Sequence, residues 1–242
     1  GSEMCIETAV GHSSSAVQLT DKSTGAIHFR NYGIDGFTVA RVLENIRQHR
    51  IFLHCSPVIT LLIGINDIGL IMNTDRTNSQ KKQMMREFAT HYNELLNLLT
   101  ADARQVILME PFIFPHPEEY ETWIPYVHTM SDIIRQLSVR VGLPFLPLHN
   151  YFNKEATQSG FDTITTDGIH LTLYGHKLLA EKLFPLLQSI DKIPEQMTIA
   201  HFPGTLYNKS LPTLISVDLL WKGVFLISVS YTHLTLPTTS RV

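Results

Sequence analysis

One apolar run constrains what this chain can fold into more than any other feature. Residues 58–63 read Val-Ile-Thr-Leu-Leu-Ile and lie between Pro57 and Gly64. A run of this length, rich in β-branched residues and bounded by a proline and a glycine, predicts a strand that is buried on both faces. Such strands occur in parallel sheets that carry helices on both sides, so the run favours an α/β architecture.

The segments around this run alternate between the same two patterns. Short β-rich runs at 26–30, 105–109 and 143–148 predict three further strands. Between and after them, apolar residues recur every three or four positions, which predicts amphipathic helices and therefore a parallel sheet built from βαβ units. The three apolar stripes consist of Met85, Phe88, Tyr92, Leu95, Leu96 and Leu99; of Ile124, Val127, Ile133, Ile134, Leu137 and Val141; and of Leu178, Leu179, Leu183, Leu186 and Leu187.

The helical pattern stops after Ile190. We therefore expect one domain over residues 1–190 and a C-terminal extension over 191–242 whose structure the sequence does not predict. Its last residues, 229–242, resemble translated read-through of a sequencing adapter, and we expect them to pack poorly; the alternative is a genuine β-rich tail. The extension is interrupted at Pro194, Pro203, Gly204 and Pro212.

Composition excludes several classes of function. Nineteen Lys and Arg against 22 Asp and Glu give a net charge of −3, which indicates neither a nucleic-acid-binding protein nor an acidic tail. The two cysteines, Cys5 and Cys55, cannot build a disulfide framework and lack the spacing of a zinc site. No apolar run is long enough to cross a bilayer. No signal peptide is visible, so we expect a cytoplasmic protein, or a secreted one if a leader has been lost ahead of Gly1.

Two short motifs follow predicted strands. In the segment Asn31 to Thr38, Gly33 and Gly36 allow a tight turn and the close approach of a backbone N–H to a ligand. The motif Gly64-Ile-Asn66-Asp67 directly follows the run at 58–63, where an asparagine can direct its amide donors into a cleft at the sheet edge. Each motif also has a simpler interpretation, namely a plain turn for the first and a helix cap or turn for the second.

The third motif pairs a carboxylate with an imidazole. It reads Asp167-Gly-Ile-His170-Leu-Thr172 and is followed by Tyr174-Gly-His176. A bent loop can bring Asp167 against one ring nitrogen of His170, which fixes the tautomer and leaves the other nitrogen as a general base. A chance pairing is the alternative, because the chain contains 12 histidines. His170 and His176 do not form a recognised metal-binding pattern.

In this order, the three motifs resemble the SGNH/GDSL family of serine esterases and acylhydrolases. Four sequence blocks of that family contribute, in order, a nucleophilic serine, a glycine, an asparagine and an Asp-x-x-His pair. The resemblance runs from about residue 2 to 190. It implies that Gly36, Asn66, Asp167 and His170 are the residues of the last three blocks. It also implies an α/β fold, a three-layer α/β/α sandwich of flavodoxin-like type with a parallel sheet.

The first block departs from the family pattern, because its Gly-Asp-Ser signature is not intact. The best register places Ser2 at the nucleophile position. Two alternatives are that Gly1-Ser2 is a cloning scar and that Ser13 is the nucleophile. Ser13 lies only 18 residues before Asn31, which is tight for a helix and a strand and so favours Ser2. The strand that should precede the nucleophile is missing, so we expect a truncated protein whose sheet lacks its first strand and exposes two edges.

The resemblance implies a serine hydrolase of short, acetyl-like acyl esters, with carbohydrate esters as a plausible substrate class. Ser2 would be the nucleophile, His170 the base and Asp167 its partner. The backbone N–H groups of Ser2 and Gly36 and the Asn66 amide would form the oxyanion hole. The chemistry needs no metal or cofactor, and no nucleic-acid or membrane partner is expected. The alternatives are a lipase, thioesterase or lysophospholipase with the same site, and a catalytically silent fragment or binding module.

Resemblance to carbohydrate-active members suggests one further pair of substrate contacts. The segment Glu110-Pro-Phe112 follows a predicted strand and could line the cleft, together with Trp123. Packing of this loop against the core is the simpler interpretation.

Overall fold

The computed structural model describes residues 28–31, 33–48, 50–51, 58–101, 105–190 and 223–228, with the backbone alone for 28–31 and 223–228. In chain order, its elements are β1 (His28–Asn31), α1 (Val39–Arg47), β2 (Val58–Leu62), α2 (Ile65–Met72), α3 (Asn78–Thr100), β3 (Gln105–Met109), a 3₁₀ helix (Glu118–Trp123), α4 (Ile124–Val141), β4 (Phe145–Leu146), α5 (His149–Ser159), α6 (Phe161–Ile164), α7 (Leu173–Ser189) and β5 (Gly223–Ser228). Helices alternate with strands, as the periodicity predicts.

Local sequence explains where the long helices begin and end. Helix α3 starts at a capping box, in which Gln80 N donates to Thr77 Oγ1 (3.3 Å) and Thr77 N donates to Gln80 Oε1 (2.8 Å). Its buried residues are the six of the predicted stripe. Helix α4 ends at Gly142, which has the left-handed conformation common at helix C-termini. In α4 the stripe was partly wrong, because Val141 is exposed while Met130 is buried.

The described strands form one parallel sheet in the order β1-β5-β2-β3-β4. Strand β2 lies near the middle and all five of its residues are buried, as expected for a strand covered on both faces. Strand β4 is shorter than predicted and covers only Phe145–Leu146 of the range 143–148. Parallel strands end at one common edge, so the loops after β1, β2 and β3 lie along the same side of the sheet.

Two apolar cores, one on each face of the sheet, make the three-layer sandwich. Alternate residues of β2 and β3 divide between them, since Ile59, Leu61, Val106 and Leu108 belong to one core and Val58, Leu62, Ile107 and Met109 to the other. The first core includes helices α1 to α4, and the second includes helices α5 to α7. The expected α/β fold class is confirmed.

The place beside β2 that we expected to be empty is occupied by the C-terminal segment. Strand β5 pairs in parallel with β1 on one side and with β2 on the other, where Val224 is opposite Val58 and Ser228 is opposite Leu62. The expectation of two open edges is therefore wrong for the described sheet. The sequence indicated only that the apolar segment 213–229 could partly cover this gap, because it has no alternating pattern that would fix a register. The division of the chain at residue 190 stays a prediction.

Two C-terminal truncations separate the role of β5 from that of residues 229–242, which lie outside the described residues. Removal of 229–242 is expected to leave Tm unchanged within about 2 °C. Removal of 223–242 is expected to lower Tm by about 10 °C or more, because β1 and β2 both lose a paired strand. Thermal melts followed by circular dichroism measure both. Unfolding on removal of 229–242 alone would contradict the adapter interpretation.

Candidate active site

The loop between α6 and α7 brings Asp167 and His170 into direct contact. Asp167 Oδ2 lies 2.5 Å from His170 Nδ1. The other carboxylate oxygen, Oδ1, accepts the backbone N–H groups of Ile169 (3.0 Å) and His170 (2.7 Å). Three hydrogen bonds thus fix one carboxylate, and the imidazole ring is fixed with it.

These contacts determine the charge of the pair and the tautomer of the ring. Partial burial by itself would raise the pKa of Asp167, but the hydrogen bonds from the ring and the backbone of His170 and from Ile169 outweigh it and lower the pKa below its ordinary value. The carboxylate is therefore ionised at neutral pH and can only accept, so we assign the ring proton to Nδ1. Nε2 is then the nitrogen that can take a proton from a nucleophile.

The conformation of this loop depends on Gly168. Its φ is +90°, and its carbonyl accepts a hydrogen bond from Phe114 N (3.0 Å) while its N–H donates to Thr165 Oγ1 (2.8 Å). A Cβ built at this position would lie 2.1 Å from the backbone oxygen of His116. The loop is thus docked closely against the segment after β3, which only a glycine permits.

Gly36 and Asn66 also come together, across 30 residues of sequence. Gly36 lies in the loop between β1 and α1 and has a φ of +71°. Asn66 is the second residue of α2 and is buried, and its Nδ2 donates to the backbone oxygen of Phe37 (2.8 Å). The alternative that Asn66 caps the helix after β2 is wrong, because that helix already begins at Ile65 and its N-terminus has no side-chain cap.

Asp67 contacts the same loop from the next position of α2. Its Oδ2 accepts the backbone N–H of Val39 (3.2 Å), the first residue of α1. Burial raises the pKa of Asp67 to about 7, although hydrogen bonds from the N–H groups of Val39 and of Asp67 itself favour the charged form. The alternative that Asp67 caps the helix after β2 is also wrong, because Asp67 lies inside that helix and its carboxylate contacts the start of α1.

The raised pKa of Asp67 predicts a pH dependence of stability. An acid whose pKa is higher in the folded protein than in the unfolded chain destabilises the fold as pH rises from about 4 to about 7. The Asp67→Asn variant lacks this titration. Its free energy of unfolding is therefore expected to exceed that of the wild type increasingly over this range, by at most about 4 kcal/mol.

Urea unfolding of both proteins at pH 4, 5.5, 7 and 8 measures the difference. Asp75→Asn, which changes an exposed carboxylate after α2, is the matched control and should show no such trend. A difference between wild type and Asp67→Asn that stays constant with pH would contradict the assignment.

The residues suggested as substrate contacts after β3 pack against the core. Glu110, Phe112 and Trp123 are all buried. Oε2 of Glu110 accepts the backbone N–H groups of Leu148 (2.7 Å) and His149 (2.9 Å), so this carboxylate caps the N-terminus of α5. Trp123 packs in the first core against Tyr120. The segment therefore packs as the simpler interpretation expects, and a substrate role for it stays a prediction.

Three candidates remain, namely the two possible nucleophiles and the second histidine of the third motif. Ser2 and Ser13 lie outside the described residues. Burial, followed by the charge of His170, lowers the pKa of His176 to about 4, so this ring is neutral beside the Asp167–His170 pair. Within the described ranges, no group of three or more His, Cys, Asp or Glu side chains is arranged to hold a metal ion.

Comparison with known proteins decides the family. Residues 8–178, more than half of the chain, match the GDSL-like lipase/acylhydrolase family. The chain belongs to that family. The matched range contains Gly36, Asn66, Asp167 and His170; it also contains Ser13, whereas Ser2 precedes it. As a GDSL-type acylhydrolase, the chain is assigned to the esterases.

Solved structures of esterases share its fold. An acetylxylan esterase from Geobacillus stearothermophilus is 22% identical over 73% of this chain and 80% of its own, with a TM-score of 0.58. A second acetyl xylan esterase is 17% identical over 74% of this chain and 92% of its own, with a TM-score of 0.61. An α/β hydrolase enzyme from the metagenome of Lake Arreo, Spain, is 20% identical over 74% and 84%, with a TM-score of 0.60. At these identities the likeness concerns the fold alone.

Two further findings concern this GDSL-type esterase. No match was found among curated protein sequences. None of the helices in the described part of the chain combines the length and the apolar character needed to cross a membrane.

Proposed function

We propose that this GDSL-type esterase hydrolyses short acyl esters, in particular acetyl groups carried by carbohydrates, through a serine-bound acyl intermediate. The observation that carries the proposal is the 2.5 Å hydrogen bond between Asp167 Oδ2 and His170 Nδ1. It orients the imidazole so that the second ring nitrogen can act as a general base. The carbohydrate acetyl ester is proposed because two structures with this fold are described as acetylxylan esterases.

In the first half of the proposed reaction, His170 Nε2 takes the proton of the serine hydroxyl as its oxygen attacks the ester carbonyl. The negative oxygen of the tetrahedral intermediate accepts hydrogen bonds from the backbone N–H groups of Ser2 and Gly36 and from the Asn66 amide. His170 then gives the proton to the departing alcohol, and the acyl group stays on the serine. In the second half, water attacks the acyl-enzyme with His170 as base, which releases the carboxylic acid and restores the serine.

Asp167 has an electrostatic role in both halves. Each attack converts the His170 ring into an imidazolium, which is stabilised by the ionised carboxylate at Nδ1. The pKa of Asp167 lies below its ordinary value, so this charge is present throughout the neutral pH range. No step of the proposed reaction needs a metal ion or an organic cofactor.

Covalent labelling identifies the nucleophile. Ser2 is the proposed residue and Ser13 the alternative. Labelling of Ser228 is measured as well. This residue ends β5 opposite Leu62, and Leu62 lies four residues before Asn66. A fluorophosphonate probe followed by peptide mapping of the full chain should label one serine, and His170→Ala should suppress the labelling. The absence of labelled serine in the wild type would favour a silent binding module.

A panel of chromogenic esters tests the substrate class. The rate is expected to be highest for acetyl esters and to fall as the acyl chain lengthens, and acetylated xylo-oligosaccharides should release acetate. A rate that rises with chain length would favour the lipase, thioesterase or lysophospholipase alternative. Hydrolysis that requires added zinc and is abolished by a chelator would contradict the serine mechanism.

A further inference from the structure

We propose that Asp67 is a positioning residue that holds the Gly36 loop in the geometry needed for transition-state stabilisation; this inference rests on the proposed function. The loop over residues 33–38 joins β1 to α1 and carries the Gly36 N–H. Asp67 itself does not reach the reacting atoms in this proposal. It acts through the backbone of the loop, at the point where the loop enters α1.

Two adjacent residues of α2 form hydrogen bonds with this loop, one as a donor and the other as an acceptor. Asn66 Nδ2 donates to the Phe37 carbonyl (2.8 Å), and Asp67 Oδ2 accepts from Val39 N (3.2 Å). The two contacts lie one and three residues after Gly36. Within the loop, Phe37 N donates to Ile34 O (3.3 Å). The first turn of α2 is therefore a main restraint on the end of this loop.

The surroundings of Asp67 explain how a largely buried carboxylate is accommodated there. Val39 is the first residue of α1, and Asp67 is the third residue of α2, so the carboxylate lies at the N-termini of two helices. Each N-terminus presents unsatisfied N–H groups and the positive end of a helix dipole. Both therefore favour a negative charge at this position. The side chain of Thr38 caps α1 separately, through Arg41 N (3.4 Å).

The position of the loop matters because an oxyanion donor acts only when it is correctly placed. Misplacement of a catalytic group by about 1 Å can cost on the order of 100-fold in rate. Loss of this restraint lowers kcat while leaving KM nearly unchanged, since oxyanion donors bind the transition state more strongly than the substrate. A purely structural role would instead lower the amount of folded enzyme or Tm.

The experiment compares three variants of the full chain with the wild type at pH 8, where Asp67 is ionised. Asp67→Ala removes the acceptor, whereas Asp67→Asn keeps one oxygen that can accept from Val39 N. Val39→Pro removes the donor and leaves Asp67 intact. Proline is tolerated at the first position of a helix, and Thr38 has the extended conformation (φ −90°, ψ 167°) that a following proline requires.

We expect Asp67→Ala to lower kcat about 10- to 100-fold at nearly constant KM. Asp67→Asn should retain most of the wild-type kcat. Val39→Pro should reproduce the loss, and the double variant with Asp67→Ala should be no worse than either single one, because both remove the same hydrogen bond. Amide hydrogen exchange should be faster at Phe37 and Thr38 in Asp67→Ala and nearly normal in Asp67→Asn. Asp75→Asn, the exposed control, should change none of these values.

With an active wild type, any of three outcomes would overturn the inference. They are a kcat of Asp67→Ala within about threefold of the wild type, a change confined to KM, and an acceleration of amide exchange spread over the whole chain. If Val39→Pro does not fold, the difference in kcat between Asp67→Ala and Asp67→Asn still tests whether Asp67 positions the loop. If the wild type neither hydrolyses an ester nor reacts with the serine probe, the proposed function fails. In that case the exchange data by themselves show whether Asp67 holds the loop, and unchanged exchange would refute the inference.

Discussion

Replacement of His170 with alanine is expected to lower kcat/KM for an acetyl ester by about 10⁴- to 10⁶-fold. The physical reason is that the serine hydroxyl is a poor nucleophile until a base takes its proton, and His170, which lies 2.5 Å from Asp167, is the proposed base. Steady-state kinetics on an acetyl ester measure the loss, and circular dichroism confirms that the variant is folded.

Two further variants calibrate this effect. Asn66→Ala removes one proposed oxyanion donor and should cost less, about 10²- to 10³-fold in kcat. His91→Ala changes a histidine of α3 outside the candidate site and should leave the rate unchanged. Near-normal turnover in His170→Ala would refute the assignment of the base, and a loss of equal size in His91→Ala would show that the assay reports folding instead of chemistry.

The second large effect is expected at Gly168. In Gly168→Ala, a residue with a side chain must adopt a φ of +90°, and its Cβ would lie 2.1 Å from the backbone oxygen of His116. Because that oxygen belongs to the main chain, the overlap can be relieved only if the loop that holds Asp167 and His170 moves. We expect a loss of about 3–5 kcal/mol in the free energy of unfolding, together with most of the activity.

Gly142→Ala is the matched control for this prediction. Gly142 also has a positive φ, +69°, but a Cβ there would meet nothing within 4 Å. It therefore isolates the conformational cost, about 1–2 kcal/mol, and activity should be retained. Urea unfolding of the two variants gives the comparison. Equal losses of stability in both would show that crowding against His116 contributes nothing.

The local pattern of the sequence predicted most of the main helices and strands, because the spacing of apolar residues shows which side of an element faces the core. The stripe from Met85 to Leu99 has the period of a helix, and all six of its residues are buried in α3. The run at 58–63 has the composition of a doubly covered strand, and β2 is buried at every position. The same reasoning placed β3 at 105–109 within its observed bounds.

For the site, the sequence determined which residues to consider, but it did not determine their contacts. The pairing of Asp167 with His170 was predictable, since three residues of chain connect them and a short loop can close over that span. The capping of α5 by Glu110, by contrast, joins residues that are 38 positions apart. Helix periodicity and strand composition do not specify such a contact, so the sequence did not predict it.

The sequence by itself determined the α/β class, the buried faces of the main helices and strands, and the candidate residues Gly36, Asn66, Asp167 and His170. Only the tertiary structure decided that β5 occupies the place between β1 and β2, and that Asn66 and Asp67 hydrogen-bond to Phe37 and Val39, just after Gly36. The physical reason is the range of the interactions. Periodicity reports the environment of one element at a time, whereas strand order and loop anchoring depend on hydrogen bonds between segments that are distant in the chain and meet only in the folded protein.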